Sequence, residues 1–353
     1  MLFSVLEDII RQGPQYSIDE LITKMRDMIC DPPLPYKIST ITATGCMGCR
    51  VDIYALYDAI TVENEHIQQT KTDAFLYMEL NKEDGLTHFK GFHKKMLVKH
   101  RSKTQKKRFD KQITAIIRKY EPESDTFLYQ NVKIFHNGVI QMTGLKHPLQ
   151  GHWVLLYILK TIQDVLPCSA FDPTPFPDAI QMKPSHYQIQ LINCDFKLPF
   201  SINRYRMKDV ILTHYGVTAH YEPLDYPGLK VSYVWNAMIP REKRNGQCQC
   251  PRKCHIVRGQ GMEWEDCKRV TVIIFQSGSI IITGAQSLEQ TNDAHDFILD
   301  LASKERHAIE KKSYSEETET LSLHHPVTNA KTTEKKKKRE RVYIPENYVN
   351  DLC

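Results

Sequence analysis

One seventeen-residue pattern occurs twice in this chain, 140 positions apart. Residues 132–148 read VKIFHNGVIQMTGLKHP and residues 272–288 read VIIFQSGSIIITGAQSL, with seven identities and no gap. Each copy holds an alternating apolar run, a tight turn at Asn137-Gly138 or Ser277-Gly278, a second alternating run, and Thr-Gly ahead of a helical stretch. Period-two alternation marks half-buried strands, and Asn-Gly between two such runs is a strong hairpin signal. A duplicated hairpin with its following helix constrains the chain to a pseudo-symmetric protein of two related halves.

The flanking sequence supports that division. In the first half, 37–44 (KISTITAT) reads as a strand, 51–62 as a helix, 112–118 as a strand, and 147–166 as a helix with Leu155, Leu159, Ile162 and Leu166 on one face. The hydrophilic stretch between the first helix and about residue 108 suggests no element. In the second half the order recurs: strand 187–193, helix 200–213, strands 217–222 and 229–235, the hairpin, and a helix from Ser287 with Gln290 completing a capping box. The expected organisation is an N-terminal helical extension (1–35), repeat 1 (36–167) with a basic insertion at about 70–108, and a Pro-rich linker (168–185). Repeat 2 (186–312) with a Cys-rich insertion (239–269) and a disordered basic tail (313–353) complete it. Placed about a pseudo-two-fold, about ten strands form one curved antiparallel sheet with helices on one face. The fold class is α+β. The open face is then a binding surface.

Charge is concentrated. Residues 90–112 carry ten Lys/Arg against one Asp, and 331–341 carry seven against two Glu, within a chain of net charge +5. Basic segments on an acidic body point to a polyanion partner or a targeting signal; solvated loops are the plainer reading. No apolar run approaches the length of a membrane span, and the opening MLFSVLEDIIRQG lacks the basic start of a secretory leader. The ten cysteines then read as thiols or metal ligands in a reducing compartment. Cys248, Cys250, Cys254 and Cys267, with His255 beside them, leave open both a structural zinc site and a cysteine-bearing loop. Cys46-x-x-Cys49 has redox-motif spacing but falls at a strand-to-helix turn, where a structural role is expected. None of the common phosphate-loop, dinucleotide, zincin or nucleophile-elbow motifs occurs, and nothing argues for an enzyme.

Several segments resemble the TATA-box-binding protein (TBP) core. In the second half these are CDFKLPF (194–200), YEPLDYPGL (221–229), similar to the family's stirrup, and IIFQSGSIIITGAQ (273–286). In the first half they are Gly48-Cys49-Arg50-Val51-Asp52-Ile53 and Lys107-Arg108-Phe109. The resemblance covers roughly 36–166 and 186–310, and its long insertions are similar to the divergent TBP-like proteins of large DNA viruses. It implies a saddle whose concave sheet lies on the DNA minor groove while two aromatic pairs wedge between base steps. By position the wedges are Phe109 with Phe135 and Tyr226 with Phe275; Phe89 or Phe92 are alternatives to Phe109.

The resemblance further implies groove contacts at Thr40, Thr42, Gln141, Thr143, Ile189, Leu191, Ile273, Ile281 and Thr283, and a phosphate contact at Lys146. Glu222, Leu224 and Asp225 match the stirrup that engages a TFIIB-like factor. Thr40 and Ile189 stand where the family has asparagines, and Gln141 and Lys133 replace apolar contacts. Neither Thr40 nor Ile189 supplies an amide donor, which weakens the expectation of TATA preference. Val139 and Ser279 replace phosphate-binding lysines, which lowers the expected affinity and its salt dependence. The expected partners are A/T-rich double-stranded DNA, a TFIIB-like factor and the RNA polymerase machinery, with no membrane. The expected location is a nucleus, a cytoplasmic viral factory or a virion. The alternative is a TBP-fold scaffold of a transcription complex without specific DNA binding.

Overall fold

The computed structural model describes residues 34–48, 50–63, 70–81, 86–91, 111–121, 124–166, 171–172, 185–250 and 267–311. Most of the helical extension expected over 1–35, most of the basic segment, most of the Pro-rich linker, the centre of the Cys-rich insertion and the tail lie outside them.

The first half contains β1 (Lys37–Cys46), β2 (Arg50–Val51), α1 (Ile53–Ala59), β3 (Ala74–Asn81), β4 (Thr87–Gly91), β5 (Gln112–Glu121), β6 (Thr126–Phe135), β7 (Val139–Leu145) and α2 (Gln150–Val165). After β8 (Phe171–Asp172), which pairs only with β2, come β9 (Ser185–Lys197), α3 (Arg204–Thr213), β10 (Thr218–His220) and β11 (Leu229–Asn236). The second half closes with β12 (Cys267–Ile274), β13 (Ser279–Ala285), α4 (Leu288–Lys304) and α5 (Arg306–Ile309). Eleven of these strands form one antiparallel sheet in the order β10-β11-β12-β13-β9-β1-β7-β6-β5-β3-β4. Outward from the β9–β1 junction the two sides match, β13-β12-β11-β10 against β7-β6-β5-β3, and β4 is an extra edge strand on the first half alone. The result is a saddle-like α+β fold of two repeats.

Alternation decides which face is covered. Ile41, Ala43, Val132, Ile134, Ile140, Met142, Ile192, Val272 and Ile282 point one way and are fully buried in a single core with Leu155, Leu159, Ile298 and Leu301 of the helices. Burying each such Leu or Ile contributes about 1.5–3 kcal/mol. Their neighbours along the strands are half-buried at most and carry Thr, Gln, Asn, Lys or apolar groups.

The hairpins are true repeats, with a turn one residue earlier than the sequence suggests. The Gly138 and Gly278 amides donate to the Phe135 and Phe275 carbonyls, at 3.0 and 3.1 Å. The turns therefore centre on His136-Asn137 and Gln276-Ser277, and the glycines follow at φ +81° and +82°. This is the three-residue loop whose last position is left-handed, a place that suits glycine. A Cβ at Gly278 would lie 2.5 Å from the Phe200 carbonyl. Helix entry is duplicated as well: the side-chain oxygens of Gln150 and Gln290 accept from the Lys146 and Gln286 amides, at 2.6 and 2.8 Å. Ser287 caps α4 as its capping box predicts, accepting from the Gln290 amide, whereas α2 starts without a side-chain cap.

The hydrophilic stretch that suggested no element holds β3 and β4. β3 (AFLYMELN) is the counterpart of β10 and is almost wholly buried. Its continuous apolar run lacks the period-two signature because both of its faces are covered.

Candidate nucleic-acid interface

The helix-free face is built by the residues that alternate with the core. Register places Thr42 opposite both Thr143 and Leu191, Thr40 opposite Asn193, and Thr44 opposite Gln141. On the second half Ile273 faces Ile281 and Thr271 faces Thr283. Eight of the nine expected groove residues, Thr40, Thr42, Gln141, Thr143, Leu191, Ile273, Ile281 and Thr283, are therefore brought onto one half-exposed strip spanning the β9–β1 junction.

Ile189 is the ninth, and the structure corrects it. A register shift between Thr42 and Ala43 turns Ile189 opposite Ala43 and into the core, where it is 9% exposed. Gln190 takes the free side instead. Its amide donates to the Thr44 hydroxyl at 2.8 Å and to the Gln188 side-chain oxygen at 3.1 Å. Ungapped alignment cannot see a bulge, so sequence reasoning missed an amide donor close to the centre of the strip. It also missed Asn193, whose side-chain oxygen accepts from the Thr283 hydroxyl. Thr40 is engaged too, its hydroxyl accepting from the Gly144 amide at 3.1 Å.

At the second-half end of the strip, Tyr226 and Phe275 form an edge-to-face pair with ring centroids 6.2 Å apart. Gly228 makes the pair possible, since a Cβ there would meet Ile273 at 2.5 Å and the Tyr226 ring at 2.7 Å. Arg204, at the start of α3, holds the stirrup and hairpin together by donating to the Pro227 carbonyl and, at 3.0 Å, to the Gln276 side chain. Lys230 lies 4.8 Å from the Tyr226 ring centre, and Lys197, opposite Ser279, is exposed. These cations were not singled out from the sequence. Their signal was only proximity to the stirrup and hairpin motifs. Lys146 is exposed and its ammonium donates to the Ser39 carbonyl.

At the first-half end, Phe135 occupies the place equivalent to Phe275 and is likewise half-buried. Phe109 and Phe92 lie outside the described residues. Phe89 does not replace them: it sits on β4, three strands from β6, with its ring 6.1 Å from that of Tyr77. Three strand spacings are about 14 Å, too far to stack on Phe135. The stirrup residues Glu222, Leu224 and Asp225 are all exposed, Leu224 at 93%, and the Asp225 and Tyr226 amides close a turn on the Glu222 carbonyl.

The family model described as "Transcription factor TFIID (or TATA-binding protein, TBP)" matches residues 252–304. A curated relative, the "TATA-box-binding protein-like" protein of Acanthamoeba polyphaga mimivirus, is 23% identical over 265 residues, which is 74% of this chain. Over these stretches the chain is similar to divergent TBP-like proteins. The chain spans 63% of the length of that mimivirus relative. It is also similar to the solved structure of "Methanococcus jannaschii TBP", at 18% identity and TM-score 0.38, covering 76% of this chain and 98% of the archaeal one.

Beyond the strip, Cys248, Cys250 and Cys267 come together with their sulfurs within 4.8 Å of one another, an arrangement that could hold a metal. Cys254 and His255 lie outside the described residues. Cys46 is buried at the end of β1 and accepts from the Gly48 amide at 3.4 Å, while Cys49 is outside the described residues.

Proposed function

We propose that this TBP-like protein binds promoter DNA through the minor groove, bends it, and recruits other initiation factors. The observation that carries the reading is the Tyr226–Phe275 pair, clamped by Arg204 at one end of a half-exposed strip of Thr, Ile, Leu and Gln. Two rings at the rim can enter a base step. Unstacking costs a few kcal/mol, which the widened groove offsets by burying more apolar surface. Ile273, Ile281 and Leu191 suit an A·T floor, which lacks the protruding guanine amino group. Gln190 and Asn193 supply amides towards the middle. Lys197, Lys230 and Arg204 meet phosphates beside this wedge, and Phe135 supplies the ring at the equivalent place in the first half. The exposed stirrup, with Leu224 at its tip and Glu222 and Asp225 beside it, fits a TFIIB-like partner.

One observation favours the scaffold alternative. Asp195 places a half-exposed carboxylate on the strip, opposite Ile281, where DNA would repel it. The two readings separate in duplex binding at several salt concentrations. The proposal expects tighter binding to A/T-rich than to G/C-rich duplex, weakened by Phe135→Ala and Phe275→Ala. Equal, wedge-independent binding, or none, with partner contacts kept, supports the scaffold.

A further inference from the structure

We propose that Cys248, Cys250 and Cys267 bind a zinc ion that ties the middle of the β11–β12 connection to the first residue of β12. The three sulfurs lie within 4.8 Å of one another, and Cys250 and Cys267 approach to 3.2 Å. Zinc–thiolate bonds of about 2.3 Å in a tetrahedron place sulfurs about 3.8 Å apart, so small adjustments suffice. Among the described residues this is the one group of Cys, His, Asp or Glu with metal-holding geometry.

The ligands stand on rigid supports. Cys267 opens β12 and pairs in register with Asn236, the last residue of β11. Cys248 and Cys250 follow a segment tied to α4 by Arg244, whose guanidinium meets Glu289 and Asp293 at 2.6 Å each, and by Arg241, 2.9 Å from Asp293. The Arg244 guanidinium also lies over the Trp235 ring at 4.6 Å. Two pieces of chain separated by residues 251–266 are thus brought to one point. The Asn236 side-chain amide donates to the Cys267 sulfur at 3.0 Å and lies 3.8 Å from that of Cys250. A donor aimed at sulfur stabilises thiolate, the form that binds metal.

A divalent ion bound here displaces the thiol protons and takes up the thiolate charge. Soft sulfur donors select zinc over magnesium or calcium. Three thiolates leave the fourth tetrahedral position to another ligand or to water. Because such a site does not exist in the unfolded chain, its binding free energy adds to folding.

The test is elemental analysis of the full chain purified under reducing conditions without chelator, followed by replacement of the metal with cobalt(II). The expected result is about one zinc per chain, with cobalt showing sulfur charge-transfer bands and the strong visible bands of a tetrahedral ion. Cys248→Ser, at a partly exposed position, should weaken metal retention at least tenfold under chelator competition. Cys194→Ala, a core position away from the cluster, should keep it. Folded wild-type protein without zinc, cobalt spectra lacking sulfur bands, or a Cys250–Cys267 disulfide in the reduced preparation would overturn the proposal.

Discussion

The two halves share one plan and spend it differently. At equivalent places on the open face the second half has Ile273 and Ile281, and the first has Lys133 and Gln141. Farther out the contrast inverts: Tyr77, Ile116 and Tyr129 form a small apolar cluster in the first half, where register puts Thr218, Ser232 and Arg269 in the second. The second half carries the assembled Tyr226–Phe275 ring pair and the exposed Glu222–Asp225 turn; the first adds β4 beyond β3. A duplicated fold therefore need not make a symmetric binder. Its core repeats because packing demands it, while its open face is free to diverge and so to define an orientation on an asymmetric partner.

The largest expected effect breaks the wedge on the better-built side. Phe275→Ala removes the ring that Tyr226 packs against and should lower duplex affinity about 100-fold, since base–aromatic stacking contributes about 1–3 kcal/mol. Competition titrations at fixed salt read this out. An unchanged affinity would mean that the second half is not the anchor.

A second contrast lies under the sheet. His152 in α2 packs on Tyr187 of β9, ring centroids 3.8 Å apart, while Asn292, 140 residues later in α4, accepts a 2.6 Å hydrogen bond from Tyr36. Each half's helix thus touches a tyrosine at the other half's first strand. Burial lowers the His152 pKa from 6.5 to about 4. The unfolded chain gains this proton near its ordinary pKa, so stability is present above that value and falls as pH drops towards the folded value. About 2 kcal/mol should be lost between pH 7 and pH 5. Urea midpoints at the two pH values check it: His152→Asn, the second half's residue, should reduce the slope by that amount.

Arg204→Ala comes next. It frees the stirrup from the hairpin without opening the core, so affinity should fall about tenfold while thermal stability changes little. The smallest effect is Lys133→Ile, which makes the first half's strip resemble the second's. Direct affinity should change little, and the slope of log affinity against log salt should fall by about one or less.

The repeat made the strand order legible, because period-two alternation and a duplicated hairpin record which face each residue takes. Phe275, Tyr226 and the Thr143/Thr283 pair came from the resemblance to the TBP core, to which the repeat added only that Phe135 and Phe275 stand at equivalent places. Three features were not legible. β3 is buried on both faces, which erases alternation. The bulge that turns Ile189 inward and Gln190 outward depends on pairing between strands about 150 residues apart, as Thr42↔Leu191 shows. Arg204 works through carbonyl and amide contacts that no spacing encodes.

The central claim is that the face opposite the helices bends A/T-rich DNA. End-to-end distance on dye-labelled short duplexes, measured by energy transfer during titration with protein, tests it most directly. The account predicts a shortened distance on A/T-rich duplex that is lost with Phe135→Ala and Phe275→Ala together. Binding at unchanged end-to-end distance, or no binding to either duplex, would contradict it.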